Sequence, residues 1–152
     1  IDDLFELSAL YRTAREALEL MMDRRFHGGN VCTVAQLRTP LLLKELEGRS
    51  DLIAKERCAL AAHDKKKDTQ YCETLYHYLT CCRSLKKTCD ALFTHRNTVL
   101  YRIRRIEDDF AIPLDEPAAH ADLLVGVSLL LFKETVNDFF LNTINKTDRE
   151  EQ

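Results

Sequence analysis

Apolar residues recur three or four positions apart over most of the 152-residue chain, which is the spacing that places them on one side of an α-helix. Glycine and proline, which interrupt helices, are scarce, with four and three copies. The pattern therefore predicts an all-α protein. The four helices most clearly marked by this spacing are expected at about 69–82, 85–92, 95–110 and 116–142.

A long helix is predicted upstream of these four, at residues 3–25. Its apolar stripe runs through Leu7, Tyr11 and Leu18 and fits either a coiled-coil seam or the core-facing side of a single helix, which could also have packed on a neighbouring domain. A short strand is expected at 31–34, after a glycine-rich turn. This part of the chain therefore looks like the end of a larger upstream domain.

The boundary between the two parts is expected near Gly48. Thr39 followed by Pro40 predicts a helix start, and Gly48 ends that helix. Ser50 then caps a further helix, and the charged run HDKKKD at 63–68 predicts a solvent-exposed loop, although adjacent lysines also suit phosphate contact. The expected domains are a remnant at 1–49, a helical domain at 50–145 and a frayed tail at 146–152.

The helix predicted at 95–110 has two unlike sides. Val99, Ile103 and Ile106 form one narrow stripe at about 100° per residue, and this stripe predicts that they hold the helix against the domain. The opposite arc can donate hydrogen bonds, insert planar guanidinium groups and stack an aromatic ring, which are the abilities needed to read DNA. DNA contacts are expected from His95, Arg96, Asn97, Thr98, Tyr101, Arg102, Arg104 and Arg105.

A short helix predicted at 85–92 comes before the helix at 95–110, and a turn of only about three residues joins the two. Two helices joined so tightly, the second with a basic polar face, form a helix-turn-helix, which places its second helix in the DNA major groove. At the start of that helix, Arg96 suits the acceptors of guanine and Asn97 suits adenine. Arg104 and Arg105 lie farther along and should mainly position the protein on the DNA backbone.

Several of these residues also suit structural roles. Asn97 fits a capping role at the helix start equally well, and Thr98 suits phosphate contact or capping better than base reading. Tyr101 fits phosphate contact or packing of the turn. Arg105 fits an ion pair with Asp108 or Asp109, one turn farther along the helix.

Charge is unevenly distributed along the chain. Residues 83–105 hold seven Lys or Arg against one acidic residue, so this basic island carries a net charge of +6 while the remaining residues carry −9. A basic island in an acidic protein is the electrostatic footprint of a local phosphate-binding surface. A merely solvated charged face is the alternative.

The sequence holds no catalytic or metal-binding pattern. His77 and Cys81 are four residues apart, but no second ligand pair follows, and the six cysteines include no CxxC motif. Without a secretory signal, these cysteines are expected to be reduced packing residues. The longest apolar run, at 123–132, is far shorter than the ~20 residues of a membrane span. We therefore expect a cytoplasmic protein without enzymatic activity, cofactor or metal.

Three motifs follow one another in the second half of the chain: TLYHYL at 74–79, TCDALF at 88–93 and HRNTVLYRIRRIE at 95–107. With the apolar helix that follows, they resemble the C-terminal DNA-binding domain of the PucR/CdaR class of bacterial transcription regulators. The sequence ELSALYRTAREALEL at 6–20 and the elements after it resemble the end of the degenerate GGDEF-like domain common in that family. Cys89 stands where the family usually has alanine, and Leu100 where a polar or basic residue is common.

The resemblance implies a DNA-binding domain controlled by a small-molecule effector that binds a region outside this chain. A single helix-turn-helix rarely supplies enough specific contact, so a homodimer on paired half-sites is expected. Two alternatives are a helical module for protein–protein interaction or dimerisation and a Fis-like or response-regulator output domain. Salt-sensitive binding to duplex DNA would separate the first alternative from the DNA-binding hypothesis.

Overall fold

The computed structural model describes residues 4–22 and 33–134, which form seven α-helices, two short 3₁₀ turns and no strand. The helices are α1 (Leu4–Met22), α2 (Val34–Leu46), α3 (Lys55–Lys67), α4 (Tyr71–Thr80), α5 (Leu85–Leu92), α6 (Arg96–Phe110) and α7 (His120–Glu134). The 3₁₀ turns, Ser50–Leu52 and Pro117–Ala119, precede α3 and α7. The predicted all-α fold is confirmed for these residues.

The chain divides into two compact units between Gly48 and Arg49. In the first unit, α1 packs against α2. Ala17 and Leu20 of α1 are buried, whereas Leu7, Tyr11 and Leu18 of the predicted stripe are exposed. The apolar spacing therefore predicts the helix correctly, but the side of α1 that is buried is not the predicted one.

Two predictions for the first unit are wrong. Val34, assigned to a strand, begins α2, and Pro40 lies inside this helix rather than at its first position. Leu37, Pro40 and Leu43 recur every three residues and are all buried. Burial of this face outweighs the loss of one backbone hydrogen bond at the proline, since tertiary packing supplies most of a helix's stability. Thr33 is not in a strand, and residues 31 and 32 lie outside the described residues.

The second unit comprises residues 49–133, and α4 contacts α3, α5 and α6 within it. Cys72, Leu75 and Leu79 are buried along one side of α4, as their spacing predicts. Burying each leucine stabilises the fold by roughly 1.5–3 kcal/mol. α4 is therefore the helix against which α3, α5 and α6 all pack.

α3 differs from the sequence-based expectation at both ends. It begins at Lys55 rather than after Ser50, and it continues through the charged run to Lys67, so the predicted loop is wrong. Asp68 ends the helix in the left-handed conformation at φ 52°. Asp64 shows why the helix extends: its carboxylate accepts hydrogen bonds from the backbone N–H of Tyr71 at 2.9 Å and of Cys72 at 2.7 Å. The end of α3 thereby caps the start of α4.

α7 begins at His120, after the 3₁₀ turn, and not at residue 116 as predicted. Its apolar residues are buried on more than one side, as the near-continuous apolar run predicts: Leu123, Val127, Leu129, Leu130, Leu131 and Phe132. Asp122 in its first turn forms an ion pair with Arg57 of α3 at 2.7 Å. The predicted extension to residue 142 lies outside the described residues.

Candidate nucleic-acid interface

A tight turn joins α5 to α6. Ser84 caps α5 by accepting a hydrogen bond from Lys87 N–H at 3.4 Å. At the other end, Thr94 N–H donates to Cys89 O at 3.1 Å and Phe93 N–H donates to Asp90 O at 3.4 Å. These two bonds form a Schellman motif, with Phe93 in the left-handed conformation at φ 51°. The turn fixes where α6 begins relative to α5.

The apolar stripe of α6 faces the domain interior. Val99, Ile103 and Ile106 are all buried. On α5, the buried residue is Thr88, whereas the neighbouring Cys89 is only partly buried. The Thr88 hydroxyl tolerates burial because it donates to Ser84 O at 2.8 Å.

The opposite side of α6 presents its first turn to solvent. His95 occupies the N-cap position with extended backbone, and its carbonyl accepts from Thr98 N–H at 3.0 Å and Val99 N–H at 3.1 Å. His95, Arg96, Asn97 and Thr98 are all exposed. Asn97 therefore lies within the first helical turn, and the capping position that the sequence also allowed for it belongs to His95.

Farther along α6, Tyr101 is 58% exposed, so it does not serve as the packing residue of the turn. Arg104 is exposed as well. Arg105 forms an ion pair with Asp109 at 2.7 Å, which is one of the two pairings that the sequence offers for it. An exposed pair at this spacing is worth only about 0.3–0.5 kcal/mol, so a phosphate can compete for Arg105.

Arg102 differs from the other predicted DNA contacts because its guanidinium turns towards α4. Its Nη1 donates to Thr74 Oγ1 at 3.1 Å and its Nη2 to Gln70 Oε1 at 3.0 Å. Neither partner was predicted from the sequence. One signal was available: Arg102 lies three residues after Val99, only about 60° from the apolar stripe.

The charges along α6 change sign from its beginning to its end. Basic side chains occupy the first three turns, whereas Glu107, Asp108 and Asp109 occupy the last. Partial burial raises the pKa of Glu107, and the nearby Asp115 and Asp108 carboxylates raise it further. The positive end of the helix dipole coincides with the basic end, so an anion is favoured there.

Residues 71–129 match the family model of the PucR C-terminal helix-turn-helix domain. This segment is a PucR-type helix-turn-helix domain. The match begins with α4 and ends within α7, so it contains both helices of the motif and the apolar helices that support them. Comparison with curated proteins and with solved structures found no match. The match indicates that this segment is a DNA-binding domain of a transcription regulator.

Other kinds of site are not evident in the described parts of the chain. No three His, Cys, Asp or Glu side chains within them are grouped to hold a metal ion. Among the described helices, none is both long and apolar enough to cross a membrane. The PucR-type family is a regulatory one and not a catalytic one.

Proposed function

We propose that the PucR-type domain binds a specific duplex DNA sequence by placing α6 in the major groove with its N-terminal turn leading. The observation that supports this most strongly is the division of α6, whose apolar stripe is buried while its first turn is exposed and basic. Arg96 suits bidentate contact with guanine, and Asn97 suits adenine. Contacts to phosphate are proposed for His95, Thr98, Tyr101, Arg104 and Arg105.

The domain is proposed to act as a homodimer on two half-sites about one helical turn apart. One recognition helix reads only a few base pairs, so a second copy is needed for a specific operator. Control is assigned to an effector-binding region outside the chain, as in the family that the sequence resembles. The protein would work in the cytoplasm, where its DNA target lies.

Binding can be tested by selecting preferred sequences from a random duplex library and then measuring fluorescence anisotropy over a range of salt concentrations. Asn97→Ala should relax the sequence preference at one position of the site. Arg96→Ala should weaken discrimination between bases by about 1–3 kcal/mol at the base pair that Arg96 contacts. Arg49→Ala is the matched control for Arg96→Ala, since it removes one exposed arginine outside the basic island.

Two results would contradict the proposal. Unchanged sequence preference and affinity in both α6 variants would remove α6 from the interface. Binding to duplex DNA that does not weaken as salt increases would exclude phosphate contacts and favour a protein-interaction module, because neutralised phosphates release counterions on binding.

A further inference from the structure

We propose that Arg102 is a positioning residue, which fixes the orientation of α6 through Gln70 and Thr74 and does not contact DNA phosphate. This inference rests on the proposed function, since it concerns how the DNA-binding helix is held. It revises one member of the sequence-predicted contact set. The remaining members, on the exposed arc of α6, keep their proposed roles.

The side chain of Arg102 lies at the edge of the buried stripe. It is partly buried, whereas Tyr101 and Arg104 are exposed. Three residues along a helix correspond to a rotation of about 300°, so Arg102 projects about 60° to one side of Val99. From this position it reaches α4 and does not project with the exposed arc.

Arg102 forms two hydrogen bonds with the first turn of α4. Thr74, which is fully buried, accepts a hydrogen bond from Nη1, and its own hydroxyl donates one to Gln70 O at 2.6 Å. Gln70, immediately before α4, accepts from Nη2 with its side-chain carbonyl. A planar guanidinium that bonds two acceptors at once fixes direction as well as distance.

The first turn of α4 is itself held firmly. Asp64 of α3 binds the backbone N–H groups of Tyr71 and Cys72, and the ring of His63 stacks on Tyr71 with 5.2 Å between ring centroids. Arg102 therefore connects α6 to a turn that α3 already fixes. Of its two anchors, Thr74 is fully buried and Gln70 is exposed.

α6 needs such a second fixed point because apolar contacts are not directional. The α5–α6 turn fixes where α6 begins, and the buried stripe fixes which side faces inward. Neither strictly sets the angle at which Arg96 and Asn97 project from the domain. A bidentate bond at Arg102, about one and a half turns farther along, sets that angle.

A carboxyl group of α4 also interacts electrostatically with Arg102. Partial burial raises the pKa of Glu73 in the first turn of α4, and the positive charge of Arg102 lowers it again in part. The guanidinium thus has two hydrogen-bond acceptors and a nearby carboxylate within the domain. A phosphate would have to compete with all three.

The test compares Arg102→Met, Gln70→Met and the double variant in the full 152-residue chain. Arg104→Met is the matched control, since it makes the same change two residues farther on, at an exposed position. Affinity for a fluorescein-labelled mixed-sequence duplex is measured over a range of salt concentrations, well below the unfolding temperature. Amide hydrogen exchange of α6 is followed in the same variants.

A positioning role predicts that Arg102→Met and Gln70→Met each weaken binding by about three- to tenfold without changing the salt slope. The double variant should bind no more weakly than Arg102→Met alone, because both changes remove one interaction. Arg104→Met should instead lower the salt slope by about one unit. Exchange at the α6 amides should be faster in both Arg102→Met and Gln70→Met.

Two outcomes would overturn the inference. A salt slope lowered by about one unit in Arg102→Met, with Gln70→Met binding as wild type, would make Arg102 a direct phosphate contact. Lower unfolding temperatures with unchanged affinity and unchanged α6 exchange would leave Arg102 a purely structural role. Wild-type protein that binds neither this duplex nor any sequence selected from the random library would refute the proposed function instead, and the exchange rates would still decide whether Arg102 orders α6.

Discussion

Arg57 and Arg104 carry the same guanidinium group in opposite surroundings. Arg57 is 6% exposed, and its Nη2 lies 2.7 Å from an Asp122 carboxylate oxygen. Gly126 of α7 makes room for it, since a Cβ at that position would come within 2.7 Å of the Arg57 Nε. Arg104 lies on the outside of α6. The first arginine joins two helices, whereas the second is available to a ligand.

The difference between them follows from where each side chain lies relative to the apolar stripe of its helix. Arg57 precedes the fully buried Leu60 by three residues, and so it shares the inward side of α3. Arg104 projects opposite the stripe of α6, and Arg102 lies at its margin. The number of positive charges in a basic island therefore overestimates the number of side chains that are free to bind a ligand, unless the angle of each residue is considered.

Asp122→Ala is the strongest test of whether the buried Arg57 joins α3 to α7. Removing this carboxylate leaves the Arg57 guanidinium buried without its counterion, and its Nε already has no hydrogen-bond partner in the described structure. We expect the free energy of unfolding to fall by about 2–4 kcal/mol, towards the lower end of the range for buried pairs because Asp122 is itself largely exposed. Urea denaturation measures the change.

Two further variants separate the ion pair from a general effect of charge. Glu116→Ala removes another exposed carboxylate shortly before α7 and should change stability by less than about 0.5 kcal/mol. The double variant Arg57→Met with Asp122→Ala should be more stable than Asp122→Ala alone, because no buried charge remains unpaired. Equal stability of Asp122→Ala and Glu116→Ala would contradict the inward role of Arg57.

Asp109→Ala tests the exposed arginines of α6, and a smaller effect is expected from it. This change releases Arg105 from its ion pair and removes a negative charge near the proposed DNA surface. Affinity for duplex DNA should rise by about two- to fivefold at low salt, and the gain should shrink as salt screens the charges. Fluorescence anisotropy over a range of salt concentrations measures both.

Asp51→Ala is the matched control for this affinity change. Asp51 also pairs with an arginine, Arg49 at 3.1 Å, but the pair lies outside the basic island. Its removal should leave DNA affinity nearly unchanged. If Asp51→Ala and Asp109→Ala raised affinity equally, the effect would come from net charge alone and not from release of Arg105.

Local signals in the sequence were sufficient to predict the centre of the helix-turn-helix. α5 extends from Leu85 to Leu92, as predicted, because the Ser84 cap and the apolar spacing mark its start and its inward side. The end of α3 was harder to predict, because Asp68, the left-handed residue that follows it, is not glycine and the usual signal for a helix end is missing. α6 ends at Phe110, as predicted, although the left-handed residue that follows it, Ala111, is not glycine either.

The sequence predicts the direction in which Arg102 projects, but it does not predict the partner of Arg102. Helical periodicity places Arg102 near the inward side of α6, and this information is local. Gln70 lies 32 residues earlier, and nothing in the residue pattern connects the two. Only the packing of α6 on α4 brings them together, so the partner requires a structure.

The smallest expected effect concerns Glu73, which lies beside Arg102 on the first turn of α4. Burial raises its pKa above the usual 4.5, although the charge of Arg102 partly lowers it. The folded protein therefore binds this proton more tightly than the unfolded chain does. As pH rises from about 4.5 through the raised pKa, this group makes the folded state less stable.

Glu73→Gln removes this titration, so the stability of the variant relative to wild type should increase over that pH window and be level below it. Urea denaturation at several pH values gives the difference, and Glu56→Gln controls for the loss of one exposed carboxylate on α3. In Arg102→Met the Glu73 pKa should rise further, because the nearby positive charge is gone, and carboxyl NMR measures this directly. A Glu73 pKa that is the same with and without Arg102 would mean that the guanidinium spends its time in solvent with the outward arginines, and Arg102 would then belong with Arg104.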